Sequence, residues 1–372
     1  MSAQPSLETV VTPALVVDGP TLVENVARMA ARAEAAGVEL WPHVKTHKSK
    51  AIARLQREHG AAGLTAATLH EAVCFADGGF DRLLIAYPPV GDWRLKALLE
   101  LASEIEVRVV VDTLPTAALL DDACRRAGVT MSYLWEIDCG VGRSGTQPGP
   151  PTADLVATAT ARFSHIAFEG LMTFGGHAYL AANPAGITRA ADDEKDALAV
   201  TRAALESQGI EVRTRSAGTT PTSNELTNPG PITEIRPGNY VFYDATQVTL
   251  GVAEEKQCAL SVLATVVARP EPRRLILDCG SKALAAERLS PRSQTYGFVI
   301  DHPELAVERL FEEHAVISST EPTDIALGSR LRVVPNHSCA TTNLHNKMLV
   351  LEHGEISDAW AVDARGWSAA AV

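Results

Sequence analysis

Between residues 14 and 216, short apolar runs alternate with longer amphipathic stretches, and this alternation narrows the possible folds more than any other feature of the chain. Ala14-Leu15-Val16-Val17-Asp18 reads as a strand. The next strand is Val38 to Trp41, because Pro42 pushes the residue before it out of the helical region. Further strands are expected at 64–66, 83–87, 106–111, 131–138, 166–173 and 211–216. Helices are expected between them at 21–36, 49–59, from about 70, and at 93–102, 115–127, 152–161 and 188–208. In the first of these, Leu22, Val26 and Met29 recur at helical spacing on one face. Strand–helix units of this kind build a parallel sheet. Eight or so units over roughly 230 residues fit a closed barrel better than an open doubly wound sheet, which stays as the alternative.

After Asp244 the texture changes. Residues 246–282 and 326–365 are Val/Leu/Ile-rich runs separated by turns, such as Ala259 to Val267 and Leu331-Arg332-Val333-Val334-Pro335. The expected fold class is therefore α/β: a (β/α)8 TIM-type barrel over 12–245, then a mostly antiparallel β-domain over 246–372, with residues 1–11 packing on it. A chain of 372 residues has room for both.

Bulk properties exclude several functions. A net charge of −12 argues against nucleic acid or an anionic membrane as the main partner. The six cysteines (74, 124, 139, 258, 279 and 339) form no CxxC pair, which disfavours a disulfide scaffold or zinc ribbon. The N-terminus has no basic segment followed by an apolar run, and no apolar stretch is long enough to span a bilayer. A cytoplasmic location is the simplest expectation.

Five segments can carry chemistry. Trp41-Pro42-His43-Val44-Lys45-Thr46-His47-Lys48 places Lys45 at a strand end, where barrels keep their active sites and where a desolvated amine can form a Schiff base. The plain alternative is a solvated basic loop. Cys139-Gly140-Val141-Gly142-Arg143-Ser144-Gly145 follows the strand ending at Asp138, with glycines for close backbone approach and Arg143 as a forked donor. Ser216-Ala217-Gly218-Thr219-Thr220-Pro221-Thr222 offers hydroxyls and N–H groups suited to a phosphate, with no P-loop signature. Arg236-Pro237-Gly238-Asn239-Tyr240 can close the same cup. In His337-Ser338-Cys339, an extended chain would turn His337 and Cys339 to one face, as a nitrogen and sulfur pair for Zn²⁺.

Taken in this order, the segments resemble the metal-dependent D-serine dehydratase and D-threonine aldolase group, fold type III pyridoxal-phosphate enzymes related to alanine racemase. Pro42-His43-Val44-Lys45-Thr46-His47-Lys48 and Pro335-Asn336-His337-Ser338-Cys339 carry the likeness, which runs from Thr12 to Trp360. The resemblance implies that Lys45 binds pyridoxal phosphate covalently, with His43 and Arg143 also at the cofactor. Gly218, Thr219, Thr220, Gly238, Asn239 and Tyr240 would hold its phosphate end. His337 and Cys339 would bind a divalent metal, with Zn²⁺ favoured by ligand softness and Mn²⁺ or Mg²⁺ as alternatives. Family members are dimers with active sites at the subunit interface. Leu171 to His177 lacks the Tyr or His that relatives place around 174 and 175, which makes His177 a displaced candidate.

The implied substrate is a D-amino acid with a β-hydroxyl. In the dehydratase reading Lys45 takes the Cα proton, the metal assists loss of the hydroxyl, and the products are a 2-oxo acid and ammonia. The His-x-Cys pattern favours this reading. In the aldolase reading a base such as His177 or His47 deprotonates the β-hydroxyl, giving glycine and an aldehyde. A racemase or a non-catalytic cofactor carrier ranks lower, because neither needs a metal pair.

Overall fold

A computed structural model describes residues 6–366. Residues 1–5, part of the segment expected to pack on the β-domain, and residues 367–372, at that domain's far end, lie outside the described residues. The chain forms two compact units. One contains residues 29–45 and 56–238, and the other contains residues 6–28, 46–55 and 239–366.

The first strand, β1 (Ala14–Asp18), belongs to the second unit. The first unit holds β2 (Glu39–Leu40), β3 (Leu64–Ala66), β4 (Arg82–Ile85), β5 (Glu106–Val111), β6 (Met131–Glu136), β7 (Ile166–Met172), β8 (Thr214–Ala217) and β9 (Glu234–Ile235). They form a parallel eight-stranded sheet in the order β2-β9-β8-β7-β6-β5-β4-β3. Pro42 limits β2 to two residues, yet the chain stays extended beyond it. His43 then bridges to Thr65 in parallel, with Val44 N–H donating to Thr65 O and Thr65 N–H to Pro42 O, each at 2.9 Å. These bonds close the ring between β2 and β3, so the seam of the barrel is the segment that leads into Lys45.

The expected count of eight strands holds, but its membership needs one correction. Ala14–Asp18 pairs outside the barrel, and the eighth barrel strand is Glu234–Ile235. Inside the barrel Trp41, Leu84, Val110, Leu134 and Met172 form a tightly buried cluster. Next to it Arg108 bonds Glu169 and Glu234, each at 3.0 Å, and its guanidinium lies 3.8 Å from the Trp41 ring centroid.

The second unit continues with β10 (Leu260–Glu271), β11 (Arg274–Leu277), β12 (Gly297–Val299), β13 (Leu305–Leu310), β14 (Ala315–Ser319), β15 (Arg330–Pro335), β16 (Lys347–Glu352) and β17 (Glu355–Ala361). β10 is long enough to pair with β15 through residues 262–265 and with β11 through residues 266–271. It thereby closes an antiparallel ring β10-β11-β14-β13-β12-β15. β1 pairs antiparallel with β10 and parallel with β16, and β17 completes that wing over a core of Val16, Leu263, Leu351 and Ile356. Among the described residues, no helix is long and apolar enough to cross a membrane.

Candidate active site

In the barrel unit, Lys45 lies half-buried in the turn after His43, at the C-terminal end of the strand. Its Nζ is 5.8 Å from the centroid of the Phe174 ring. Arg143 stacks on the same ring with Cζ at 4.5 Å and is 57% exposed. Position 174 thus offers a flat apolar ring to both side chains, where relatives are expected to offer a polar ring. The Lys45 segment is tied to the loop after β9, because His43 N–H donates to Pro237 O at 2.9 Å.

The glycine-rich loop does something other than expected. The N–H groups of Gly140, Val141 and Gly142 all point at Asp138 Oδ1, at 2.9, 2.9 and 3.1 Å. The glycines therefore wrap the backbone around the protein's own carboxylate, which leaves the Arg143 side chain as the group the loop presents. Burial pushes the Asp138 carboxyl up, but these three donors and nearby His177 outweigh it and hold it below the ordinary value. His177 sits on the turn Gly176–Leu180, with Nε2 3.0 Å from Asp193 Oδ2. Its Nδ1 is buried with no hydrogen-bond partner.

The Gly218 turn also spends its own amides. Gly218 N–H donates to Glu194 Oε1 at 3.0 Å, and Thr219 N–H donates to Thr222 Oγ1 at 2.8 Å. Gly218 serves through space and conformation: its φ is +92°, and a Cβ there would stand 2.9 Å from Ser223 Oγ. Thr219, Thr220, Thr222 and Ser223 are all buried, and the Ser223 hydroxyl has no partner. A pocket of buried hydroxyls with one oxygen unsatisfied suits a tetrahedral anion, which would supply the missing acceptors. Arg236 is buried beneath the turn and donates to Ser216 Oγ and Thr173 O. Burial lowers its pKa, and Glu234, Glu194 and Glu136 partly offset that. Gly238 follows in the same loop. With the Lys45 amine beside an aromatic face, this unit has the parts that a phosphorylated aromatic aldehyde requires.

In the second unit, β15 delivers Asn336 and His337. Asn336 Nδ2 donates to Thr295 O at 2.7 Å, and Thr246 Oγ1 donates to Asn336 O at 2.7 Å. The extended geometry expected across the pair stops at His337, and Ser338–Thr342 is a short helix with Cys339 in its first turn. The pairing survives the change of conformation, since the His337 ring still hydrogen-bonds Cys339. Its Nδ1 contacts Glu287 Oε2. Burial disfavours a charged His337 ring, yet Cys339, Glu287 and Asp244 outweigh it and raise its pKa to about 10. Cys339 Sγ also lies 3.1 Å from Thr46 Oγ1, the residue after Lys45 in the chain. A carboxylate behind a histidine that neighbours a cysteine suits a soft divalent ion. Among the described residues, no group of three or more His, Cys, Asp or Glu is placed to hold a metal ion.

Asn239 and Tyr240 are buried, and Asn239 Nδ2 donates to Asp244 Oδ2 at 2.5 Å and to Ser338 Oγ at 2.9 Å. Asp244 also accepts Ser338 N–H at 3.0 Å, and its pKa is raised by burial. His47 is fully buried, with Nδ1 accepting Ser49 N–H at 3.1 Å, a commitment that weakens the case for it as a base. The sequence reading assigned no role to Asp193, Glu194, Asp244 or Glu287. Glu194 was detectable as an acidic residue on the apolar stripe of its helix.

The chain matches the alanine racemase N-terminal domain family over residues 17–246 and the serine dehydratase domain family over residues 259–351. It is 33% identical to the D-threo-3-hydroxyaspartate dehydratase of Delftia sp. (strain HT23), over 91% of this chain and 93% of that one. It is 32% identical to a D-threonine aldolase of Arthrobacter sp., over 98% and 96%. With a D-serine dehydratase of Dictyostelium discoideum it shares 30% identity over 92% and 93%. The solved Delftia dehydratase superposes with a TM-score of 0.91 at 32% identity, over 98% of this chain and 100% of that one. Solved variants of a D-threo-3-hydroxyaspartate dehydratase replace a histidine and, two residues later, a cysteine by alanine, and the cysteine variant is described in the metal-free form. The chain belongs to the D-serine dehydratase and D-threonine aldolase family of alanine racemase-like, fold type III pyridoxal-phosphate enzymes, and is an enzyme of their lyase type.

Proposed function

We propose that this enzyme is a dehydratase that converts a D-amino acid bearing a β-hydroxyl into a 2-oxo acid and ammonia. The observation that carries the reading is the His337–Cys339 pair with Glu287 behind it, which has the spacing of the two residues replaced in the solved dehydratase variants. When bound, pyridoxal phosphate supplies an electron sink for the Cα–H bond and a divalent metal supplies Lewis acidity toward the β-oxygen. Lys45, His43, Arg143, Thr219, Thr220, Gly238, Asn239 and Tyr240 would hold the cofactor, with Gly218 giving the turn its shape. His337 and Cys339 would hold the metal, for which Zn²⁺ is the best match to a sulfur ligand.

The chain's own groups have distinct tasks. Lys45 Nζ accepts the Cα proton of the substrate. Phe174 presents a face that orients a planar ring and cannot itself exchange a proton. Glu287 fixes the His337 ring and makes it a better donor to a cation. One observation favours the aldolase alternative. His177 is oriented by Asp193 through Nε2 and keeps Nδ1 without a partner, an arrangement able to accept a hydroxyl proton.

The cofactor assignment is tested by absorbance of the purified chain supplied with pyridoxal phosphate. A band at about 410–420 nm, from a lysine-bound cofactor, is expected in the wild type and is expected to vanish in Lys45→Ala. A band of equal intensity in that variant would exclude Lys45 as the attachment site.

A further inference from the structure

Glu194 lies on the helix Pro184–Ser207 and is 1% exposed. Its Oε1 accepts three hydrogen bonds: from Gly175 N–H at 2.9 Å, Gly218 N–H at 3.0 Å and Thr173 Oγ1 at 3.3 Å. The two backbone donors belong to different segments. Gly218 opens the hydroxyl-rich turn, and Gly175 follows Phe174, whose ring faces Lys45. The contact with Gly175 is close, because a Cβ on that glycine would stand 2.7 Å from Glu194 Cδ. One buried oxygen therefore sets the spacing between the turn suited to a phosphate and the segment suited to a ring.

We propose that Glu194 is a positioning residue for pyridoxal phosphate, holding the Gly218 turn and the Phe174–Gly175 segment at the separation that the phosphate and ring of one cofactor require. The inference rests on the cofactor reading above. It assigns the function to the acceptor oxygen and not to the charge, since a negative charge beside a phosphate turn works against anion binding. A neutral amide that keeps Oε1 in place should therefore serve as well.

The test is made on the full-length chain freed of cofactor, titrated separately with pyridoxal phosphate and with pyridoxal, which has the ring but no phosphate. The readout is the ratio of the two Kd values, which reports the phosphate contribution. Glu194→Ala removes the acceptor, and Glu194→Asp draws it back by one methylene. Each is expected to lower the preference for pyridoxal phosphate by about tenfold, the upper end of what one lost hydrogen bond contributes. Glu194→Gln should keep the wild-type preference within about threefold. Should the alanine variant fail to fold, the contrast between Asp and Gln decides. A wild-type ratio in Glu194→Asp, or a Glu194→Gln variant impaired as badly as Glu194→Asp, would overturn the proposal. A wild-type chain that takes up no pyridoxal phosphate would overturn the underlying cofactor reading, an outcome recognisable because the unmutated protein fails.

Discussion

Cys339 differs chemically from most cysteines of this chain. It is partly exposed and flanked by the His337 ring and the Thr46 hydroxyl. Cys124, Cys139 and Cys279 are instead buried, and burial pushes their pKa values up to about 11, 12 and 12. A thiol alkylates as its thiolate, so these three should resist iodoacetamide at about pH 8. Cys74 and Cys339, both half-buried, should react in the metal-free protein. Adding Zn²⁺ should protect Cys339 alone, as read by peptide mass spectrometry, and His337→Ala should abolish that protection. Labelling of Cys339 unaffected by Zn²⁺, Mn²⁺ or Mg²⁺ would count against the metal pair. At this scale the sequence was informative where a residue type is chemically unusual, as with Lys45 between histidines or His337 two positions before Cys339. It was silent where backbone geometry decides. Nothing in Gly140-Val141-Gly142 reveals that its amides serve Asp138, nor in Gly218 that its amide serves Glu194.

Among the structural elements, the barrel strands followed from their apolar runs, because a parallel strand buried on both faces is almost continuously apolar. Glu234–Ile235 escaped notice because it is two residues long and opens with a buried glutamate. β1 resembled a barrel strand because its three central residues are buried in the antiparallel sheet too, so periodicity could not say which sheet it joins. The helix Pro184–Ser207 held a readable anomaly. Ile187, Ala190, Ala191, Ala197, Leu198, Thr201 and Leu205 form its buried stripe, and Glu194 stands on that stripe. Similar reasoning applies to Arg108 on β5, which neutralises Glu234 and Glu169 inside the barrel. Arg108→Ala leaves Glu234 buried without its partner and should cost about 3 kcal/mol, read as a lower urea midpoint with an unchanged m-value. A loss under about 0.5 kcal/mol, the level of an ordinary surface change, would mean that the barrel interior relaxes around the uncompensated charge.

For the whole molecule, the chain order of the two units has a physical reading. The nine-stranded sheet of the second unit takes β1 from the N-terminal end and β10 to β17 from the C-terminal end, so along the chain the barrel segments are inserted between parts of that unit. The buried cysteines also link folding to pH. Their thiol pKa values lie above the ordinary value of 9.0 in the native state, so the unfolded chain releases protons that the native chain keeps. Stability should therefore be insensitive to these groups below about pH 8 and should fall as pH rises from about 9 toward 12. Cys279→Ala should soften that decline in urea titrations at about pH 10, and an unchanged slope would remove Cys279 from the account. The central claim concerns which bond the enzyme breaks. The most direct measurement is product identification after adding D-serine and D-threonine to the full-length enzyme supplied with pyridoxal phosphate and Zn²⁺. Pyruvate or 2-oxobutyrate with an equivalent of ammonia is the expected result, whereas glycine with acetaldehyde from D-threonine would contradict it and make the chain an aldolase.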